Sequence, residues 1–495
     1  MEFTLLSKGK KMRRLLIWFA LCLTLSWWGG CSNKTTLSKE KTQTDAGLPD
    51  GSSPEQVSQE KTQPEPELPK ELTYWKDIKA IIDHNCLNCH IKDGIAPFPL
   101  ESYKFVKTYK DAIKSSVKER RMPPWSGAQN CNEYKNDISM SEEDIEKIAK
   151  WVDNGAPEGN PAHYKDSPPP PELKMSRVDL TLKMKKAFEP KRIPDEYRCF
   201  VVDWTPKEVK YISGFEVHPG NQSIVHHVIA YLAPPSEAEK YAKKDPEGNG
   251  YRCYGTAGGK ASYNWLGVWA PGMPGADYPK NTGIKVEPGS KIIIQVHYNV
   301  PPSKKGATDQ TSVAFKLEDK VDAVSILLPY ANYFAWFRKD GMKIPAGEDN
   351  VTHDYNADVV GLISLLPIKG KKPKAFTIHS AMLHMHQLGK AGKLTSTVDD
   401  IDQCILDIPK WNFDWQLIYH LKKPITIKAK DKLGISCTWN NTAANQPIVE
   451  GQKQDPKDVY WGDGTNDEMC LGVFYVTCGD GEGNTEPCPT ISDYL

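Results

Sequence analysis

The sequence predicts a multidomain chain: a small all-α domain followed by two all-β, sandwich (jelly-roll-like) domains. Three observations predict it. Apolar residues recur at helical spacing over residues 72–162 and then cease to do so. From Ser176 to Leu495 short β-rich runs alternate with Gly, Pro and Asn turns. Between the two stretches lies Pro168-Pro169-Pro170-Pro171, a stiff polyproline spacer that sets a boundary at residues 163–175. At roughly 100–200 residues per domain, a chain of 495 residues has room for such an arrangement.

Composition narrows the function. Lys+Arg and Asp+Glu each number 63, so the chain lacks the basic surplus that neutralises phosphates, and a nucleic-acid partner is excluded. At 25% charged and 39% hydrophobic residues, the composition is that of a soluble globular protein. Twelve Cys beside twelve His imply disulfides, metal, haem or a mixture, and spacing has to decide among them.

Residues 1–30 read as a secretory signal. Lys8, Lys10, Lys11, Arg13 and Arg14 precede an apolar run, Leu15 to Trp28, that is short for a membrane span. The run ends Trp28-Gly29-Gly30-Cys31-Ser32, which resembles a bacterial lipoprotein cleavage site, with Trp28 standing where Leu is usual. The expectation is lipidation at Cys31, hence membrane attachment in the bacterial cell envelope, on the periplasmic or outer-membrane face. An ordinary signal peptide with an incidental Cys31 is the blander alternative. Either way the mature chain lies in an oxidising compartment, where disulfides persist. Residues 31–71 are poor in large apolar side chains and read as a disordered tether.

The helical domain, 72–162, carries Cys86-Leu87-Asn88-Cys89-His90, the C-x-x-C-H pattern of covalent haem attachment. A zinc or thiol-redox C-x-x-C is the competing reading. Ile78, Ile81 and Ile82 form an apolar stripe before the motif, and 101–121 predicts a second helix stopped by Pro123 and Pro124. Ser141 to Asp144 predicts the start of a third, with Ile145, Ile148, Trp151 and Val152 on one face and Gly155 beyond its end. This domain resembles a class I cytochrome c. The resemblance implies His90 as one axial ligand of haem c and Met122, in Arg121-Met122-Pro123-Pro124-Trp125, as the other, with Met140 as the rival. His/Met ligation suits electron transfer. His84 reads as a surface helix residue.

The β region splits near Lys320, into 176–320 and 321–495. Its predicted strands include Val209–Val217, Ile224–Leu232, Lys291–Val300, Val321–Pro329, Phe376–Met385, Trp415–Leu421, Lys432–Trp439 and Gly472–Cys478. Four motifs stand out: His226-His227, Gln295-Val296-His297-Tyr298, His384-Met385-His386-Gln387-Leu388-Gly389, and Asp467-Glu468-Met469-Cys470. His384 and His386, two apart, share a strand face and can share an ion. His226 and His227 point to opposite faces of a regular strand, so both bind one metal only at a twist, bulge or strand end. Singly, His297 reads as a structural histidine and Met469 as core.

Together, in this order, the motifs resemble the copper type II ascorbate-dependent monooxygenases, the peptidylglycine α-hydroxylating enzyme and dopamine β-monooxygenase among them. The resemblance covers roughly 176–495. It implies two β-sandwich domains facing a solvent-filled cleft, with two copper ions. His226, His227 and His297 would hold the electron-transfer copper, and His384, His386 and Met469 the catalytic copper, where O2 and a small organic substrate meet. A thioether ligand favours copper over zinc. The family's reductant is one-electron, ascorbate-like; here a redox protein or the fused haem is the further expectation, feeding the His226/His227/His297 copper. The resemblance also implies a disulfide at Cys470, with Cys437 as partner. Cys199 with Cys253 is expected in the first β domain, while Cys131, Cys404, Cys478 and Cys488 are left undecided. His218, His353, His379 and His420 read as structural or surface. The chain departs from the peptide-amidating relative at Met382, where that enzyme has its substrate-binding Arg, and at Leu471 and Val473, so a less polar substrate is expected. The competing functions are a haem/copper electron-transfer or copper-handling lipoprotein without oxygenase activity and, lower, a copper nitrite reductase.

Overall fold

The computed structural model describes residues 71–92, 96–135, 137–166, 174–365, 372–449, 451–486 and 488. The signal, Cys31, the tether as far as residue 70 and the proline run lie outside them. Among the described residues, no helix is long and apolar enough to cross a membrane.

The helical part begins with a π-turn, Tyr74–Ile78, that runs into α1, Lys79–Asn85. The long helix expected over 101–121 is instead two, α2 (Tyr103–Thr108) and α3 (Lys110–Lys118), broken at Tyr109. α4, Glu142–Asp153, starts where the Ser141 hydroxyl accepts the Asp144 N–H at 3.1 Å. Its Ile145, Ile148, Trp151 and Val152 are buried against Ile78, Ile81 and Ile82, forming a core of their own.

The rest is β. In the first half, β1 (Leu180–Lys183), β2 (Asp195–Val202), β3 (Lys210–His218), β4 (Val225–Ala233), β5 (Trp265–Trp269), β6 (Thr282–Val286), β7 (Lys291–Asn299) and β8 (Ser312–Glu318) form two sheets. One has the order β2-β7-β4-β5, the other β1-β8-β3-β6. In the second half, β9 (Ala323–Tyr330), β10 (Asp349–Ala357), β11 (Ala375–His384), β12 (Gly389–Val398), β13 (Ile401–Ile408), β14 (Tyr419–Lys428), β15 (Lys432–Asn440) and β16 (Leu471–Gly479) do the same. Here the orders are β9-β16-β11-β14 and β10-β15-β12-β13. β6 pairs in parallel with β9 through Thr282–Ala323 and Gly283–Val324. One sheet therefore runs through both halves, and a single apolar core extends across them.

Seven of the eight expected strands lie within about two residues of observed ones. The eighth, Trp415–Leu421, does not begin until Tyr419, because the preceding residues turn toward the histidines described below. A further departure concerns the segment between α3 and α4. Trp125 and Tyr134 leave the helical core and pack into the β core. Cys131 joins Cys404 of β13 in a disulfide that spans 273 residues of sequence.

Candidate metal centre

His226, His227 and His297 converge, and sheet geometry explains how two sequence neighbours manage it. The β4–β7 register passes from Val225–Tyr298 to His227–His297, leaving His226 as the extra residue of a β-bulge. A bulge re-aims one side chain, so both imidazoles reach the same side. The Nδ1 atoms of the three rings stand 3.2 Å apart, each from the other two. The His297 Nε2–H donates to Asp195 Oδ1 at 2.8 Å, which turns its Nδ1 lone pair toward the other two. Burial holds all three histidines below their ordinary value, and the mutual proximity of the rings adds to this for His226 and His227. Three neutral nitrogen lone pairs facing one point repel each other unless a cation sits between them, so the donor set fits a metal ion.

His384, the last residue of β11, and His386 form the second group, with ring centroids 5.1 Å apart. The His384 Nδ1–H donates to Gln416 Oε1 at 2.6 Å, and the His386 Nδ1–H donates to the Asp467 carbonyl at 2.9 Å. Both hydrogen bonds fix the tautomer that leaves Nε2 as a lone pair. The Nε2 of His386 is buried and has no hydrogen-bond partner, and its lone pair is a ligand atom by its chemistry. Burial drives His384 down to about 4 and His386 to about 3. Met469 is half-buried, and its neighbours tie it to this group. The Glu468 carboxylate accepts the His386 N–H at 2.9 Å, the Leu388 N–H at 2.7 Å and the Trp439 indole N–H at 2.8 Å, while Cys470 is bonded to Cys437. Burial raises Glu468 to about 7 against those donors.

The two groups are neighbours. The His227 and His384 rings are 6.1 Å apart, where the family resemblance implied a solvent-filled cleft. Phe413 stacks on His226 at 4.6 Å and stands edge-on 6.3 Å from His386. Asp195 links the halves. Its carboxylate also accepts the Thr465 hydroxyl at 2.5 Å and the Thr465 N–H at 3.2 Å, and Thr465 lies four residues before Met469. Burial would raise Asp195, but the bonds from His297, Thr465 and Asn299 hold it down to about 2. Tyr197 stacks on His297 at 4.0 Å and donates its hydroxyl to the Asp463 carbonyl.

Sequence reasoning missed Asp195, Phe413, Gln416 and the Glu468 bridge. Glu468 lies inside the Asp467-Glu468-Met469-Cys470 motif; the other three carry no local signal. Met382 and Val473 pair across β11 and β16 and are buried, while Leu471 pairs with His384 and is half-buried. Thus only Leu471 of the three stands beside the second group at partial exposure. His379 and His420 are held to about 4, first by burial and then by Lys135. His353 donates to the Lys343 carbonyl, and His218 is exposed.

At the C-x-x-C-H motif, His90 Nδ1 bonds the Phe98 carbonyl at 2.9 Å. Cys86 and Cys89 are unpaired thiols, whereas eight other cysteines form four disulfides: 131–404, 199–253, 437–470 and 478–488. Burial pushes the Cys86 thiol up to about 12, which disfavours thiol-redox chemistry, since that needs a depressed pKa. Met122 is half-buried, while the rival Met140 is packed in the helical core at 2% exposure. His84 lies in α1, half-buried.

Among solved structures, the chain is similar to the major capsid protein P2 from Bacteriophage PM2, with 8% identity over 62% of this chain and 99% of that one and a TM-score of 0.23. It is also similar to the infectious bursal disease virus VP2 subviral particle, with 9% identity over 64% and 73% and a TM-score of 0.16. Scores this low carry no argument about fold or function. The family comparison is of another kind. Residues 180–305 match the N-terminal domain of the copper type II ascorbate-dependent monooxygenases, and residues 337–478 match their C-terminal domain. The first match contains His226, His227 and His297, and the second contains His384, His386 and Met469. With both domains present, in order and over more than half its length, the chain belongs to the copper type II ascorbate-dependent monooxygenase family, whose domains bind two copper ions.

Proposed function

We propose that this copper monooxygenase inserts one oxygen atom into a C–H bond of a small organic substrate, R–H + O2 + 2e⁻ + 2H⁺ → R–OH + H2O. His226, His227 and His297 hold one copper through Nδ1; His384 and His386, through Nε2, hold the other with the Met469 sulfur. When bound, copper supplies one-electron chemistry and dioxygen activation. The chain's own contribution is placement. Asp195 and Gln416 hold the imidazole tautomers, and Phe413 lies against both groups, stacked on His226 and edge-on to His386. Leu471 offers an apolar contact beside His384, which suits a substrate without a carboxylate to anchor. The observation that carries this reading is the pair of donor sets itself: three Nδ1 atoms 3.2 Å apart, with an unpartnered buried His386 Nε2 in the adjoining group.

A covalent haem c at Cys86 and Cys89, ligated by His90 and Met122, supplies electrons one at a time, alongside an ascorbate-like reductant or a redox protein. Two unpaired thiols, where the other described cysteines all form disulfides, and a His90 whose Nδ1 is held by the Phe98 carbonyl, support it. A lipid on Cys31 and residence in the bacterial cell envelope complete the proposal. Metal and haem analysis should give two coppers and one haem per chain, and labelled O2 should deliver one labelled atom into product. Bound copper and haem with no labelled product from any candidate substrate would favour an electron-transfer or copper-handling lipoprotein instead.

A further inference from the structure

The segment that follows Met122 does not stay with its helices. Ala128 N–H donates to the Asp407 carbonyl at 2.8 Å, Lys135 N–H to the His420 carbonyl at 2.7 Å, and Lys422 N–H to the Glu133 carbonyl at 2.9 Å. With the Cys131–Cys404 disulfide, these bonds fasten the segment to β13 and β14, in the half that carries His384 and His386. At the contact, Trp125, Tyr134 and Tyr419 form a closed cluster of rings. Trp125 lies 4.8 Å from Tyr419 and 5.8 Å from Tyr134, and the two tyrosines are 5.2 Å apart. Gly127 permits this approach: a Cβ there would come within 2.8 Å of the Tyr419 ring. Trp125 is three residues from Met122. Tyr419 is three residues from Gln416, whose side chain accepts from His384.

Resting on the haem reading above, we propose that Trp125, Tyr134 and Tyr419 are the electron bridge from the helical domain, and that electrons enter at the His384 group rather than at His226/His227/His297. The transfer is one electron, Fe(II) + Cu(II) → Fe(III) + Cu(I), with no proton moved. From His384, the His227 ring is only 6.1 Å away, so the first group is reached second. This reverses the entry point expected from sequence. That expectation had no information on docking, whereas every fastening named above is to the second half.

The test uses the full chain carrying haem and Cu(II), kept without O2. A flash-generated one-electron reductant reduces the haem, and haem reoxidation is followed optically, with loss of the Cu(II) paramagnetic signal as the second readout. Trp125→Leu and Tyr419→Leu should slow reoxidation by about tenfold or more, equivalent to ~1.4 kcal/mol of barrier, while Trp125→Phe, which keeps a ring, should lie near wild type. Because packing variants can misfold, His227→Ala and His384→Ala provide an independent arm. His384→Ala should abolish fast reoxidation and His227→Ala should preserve it. The opposite pattern, or an unchanged rate in Trp125→Leu with haem and copper retained, overturns the bridge. Protein from a host that matures c-type cytochromes but isolated without haem overturns the haem reading itself, and is distinguished by haem content alone.

Discussion

Asp195→Asn isolates the contact that joins the two donor sets. The Asp195 carboxylate accepts from His297 Nε2 at 2.8 Å, Thr465 Oγ1 at 2.5 Å, Thr465 N at 3.2 Å and Asn299 Nδ2 at 3.3 Å. Asparagine keeps the volume but turns one oxygen into a donor. With Oδ1 left facing His297 and the Thr465 hydroxyl, the new NH2 faces the Thr465 N–H, donor against donor. One charge-assisted bond is lost, at roughly 1.5–3 kcal/mol of stability. The imidazole also loses an anionic support, and such outer partners change metal affinity by roughly 10–100-fold, or ~1.4–2.8 kcal/mol. Thr465→Val is the control. It cuts the hydroxyl link between the halves at about 1 kcal/mol but leaves His297 supported. Stability is read by chemical denaturation, and affinity by competition with a chromophoric copper(I) chelator. Asp195→Asn should weaken the His226/His227/His297 site specifically, and Thr465→Val should not. Equal affinities in all three proteins, or equal losses in both variants, would refute the assignment of Asp195 as the residue that orients His297.

Further outcomes follow from the same geometry. Met469→Leu conserves volume, so it should cost less than about 1.5 kcal/mol of stability while abolishing labelled-oxygen incorporation; normal turnover would remove Met469 from the site. Glu468→Gln places an NH2 against one of the N–H donors of His386, Leu388 or Trp439, and should cost roughly 1–3 kcal/mol in denaturation. Removing the Cys131–Cys404 pair as a double Ser variant should cost about 2–5 kcal/mol and leave the other disulfides intact by mass mapping. Burial, with Lys135 second, holds His379 and His420 at about 4 against an ordinary 6.5. The unfolded chain therefore binds the extra protons, so full stability holds above pH 6.5 and falls progressively toward pH 4. At ~1.4 kcal/mol per unit the loss is a few kcal/mol per histidine, and His420→Asn should flatten the acid limb of a stability–pH curve.

Legibility varied with the range of the signal. α4 was readable because its cap and apolar face lie within twelve residues, and the cap bond from Ser141 is observed. Most long strands were readable from β-rich runs for the same reason. The paired use of His226 and His227 was not, since it depends on a bulge whose register is set by β7, some seventy residues away. Asp195 and Gln416 carry no motif. An aspartate at a strand start and a glutamine after a Trp are ordinary residues until the fold brings them to imidazoles. The Cys131–Cys404 bond was undecidable because it depends on two parts of the chain docking.

The stretch from Trp411 to Tyr419 shows why one misplaced strand is informative. Trp411 donates its indole N–H to the His386 carbonyl at 3.0 Å, Phe413 stacks on His226, Gln416 accepts from His384, and Tyr419 meets Trp125. Those contacts fall at intervals of two, three and three residues. A strand alternates its faces every residue and cannot aim all four at separate targets. The segment has strand-like composition yet remains a loop as far as Ile418, because each side chain has a different partner. Local propensity loses where several tertiary contacts must be met at once, and such conflicts concentrate at functional sites. The segment touches both donor sets and, through Tyr419, Trp125, so a single backbone shift there would reach all three.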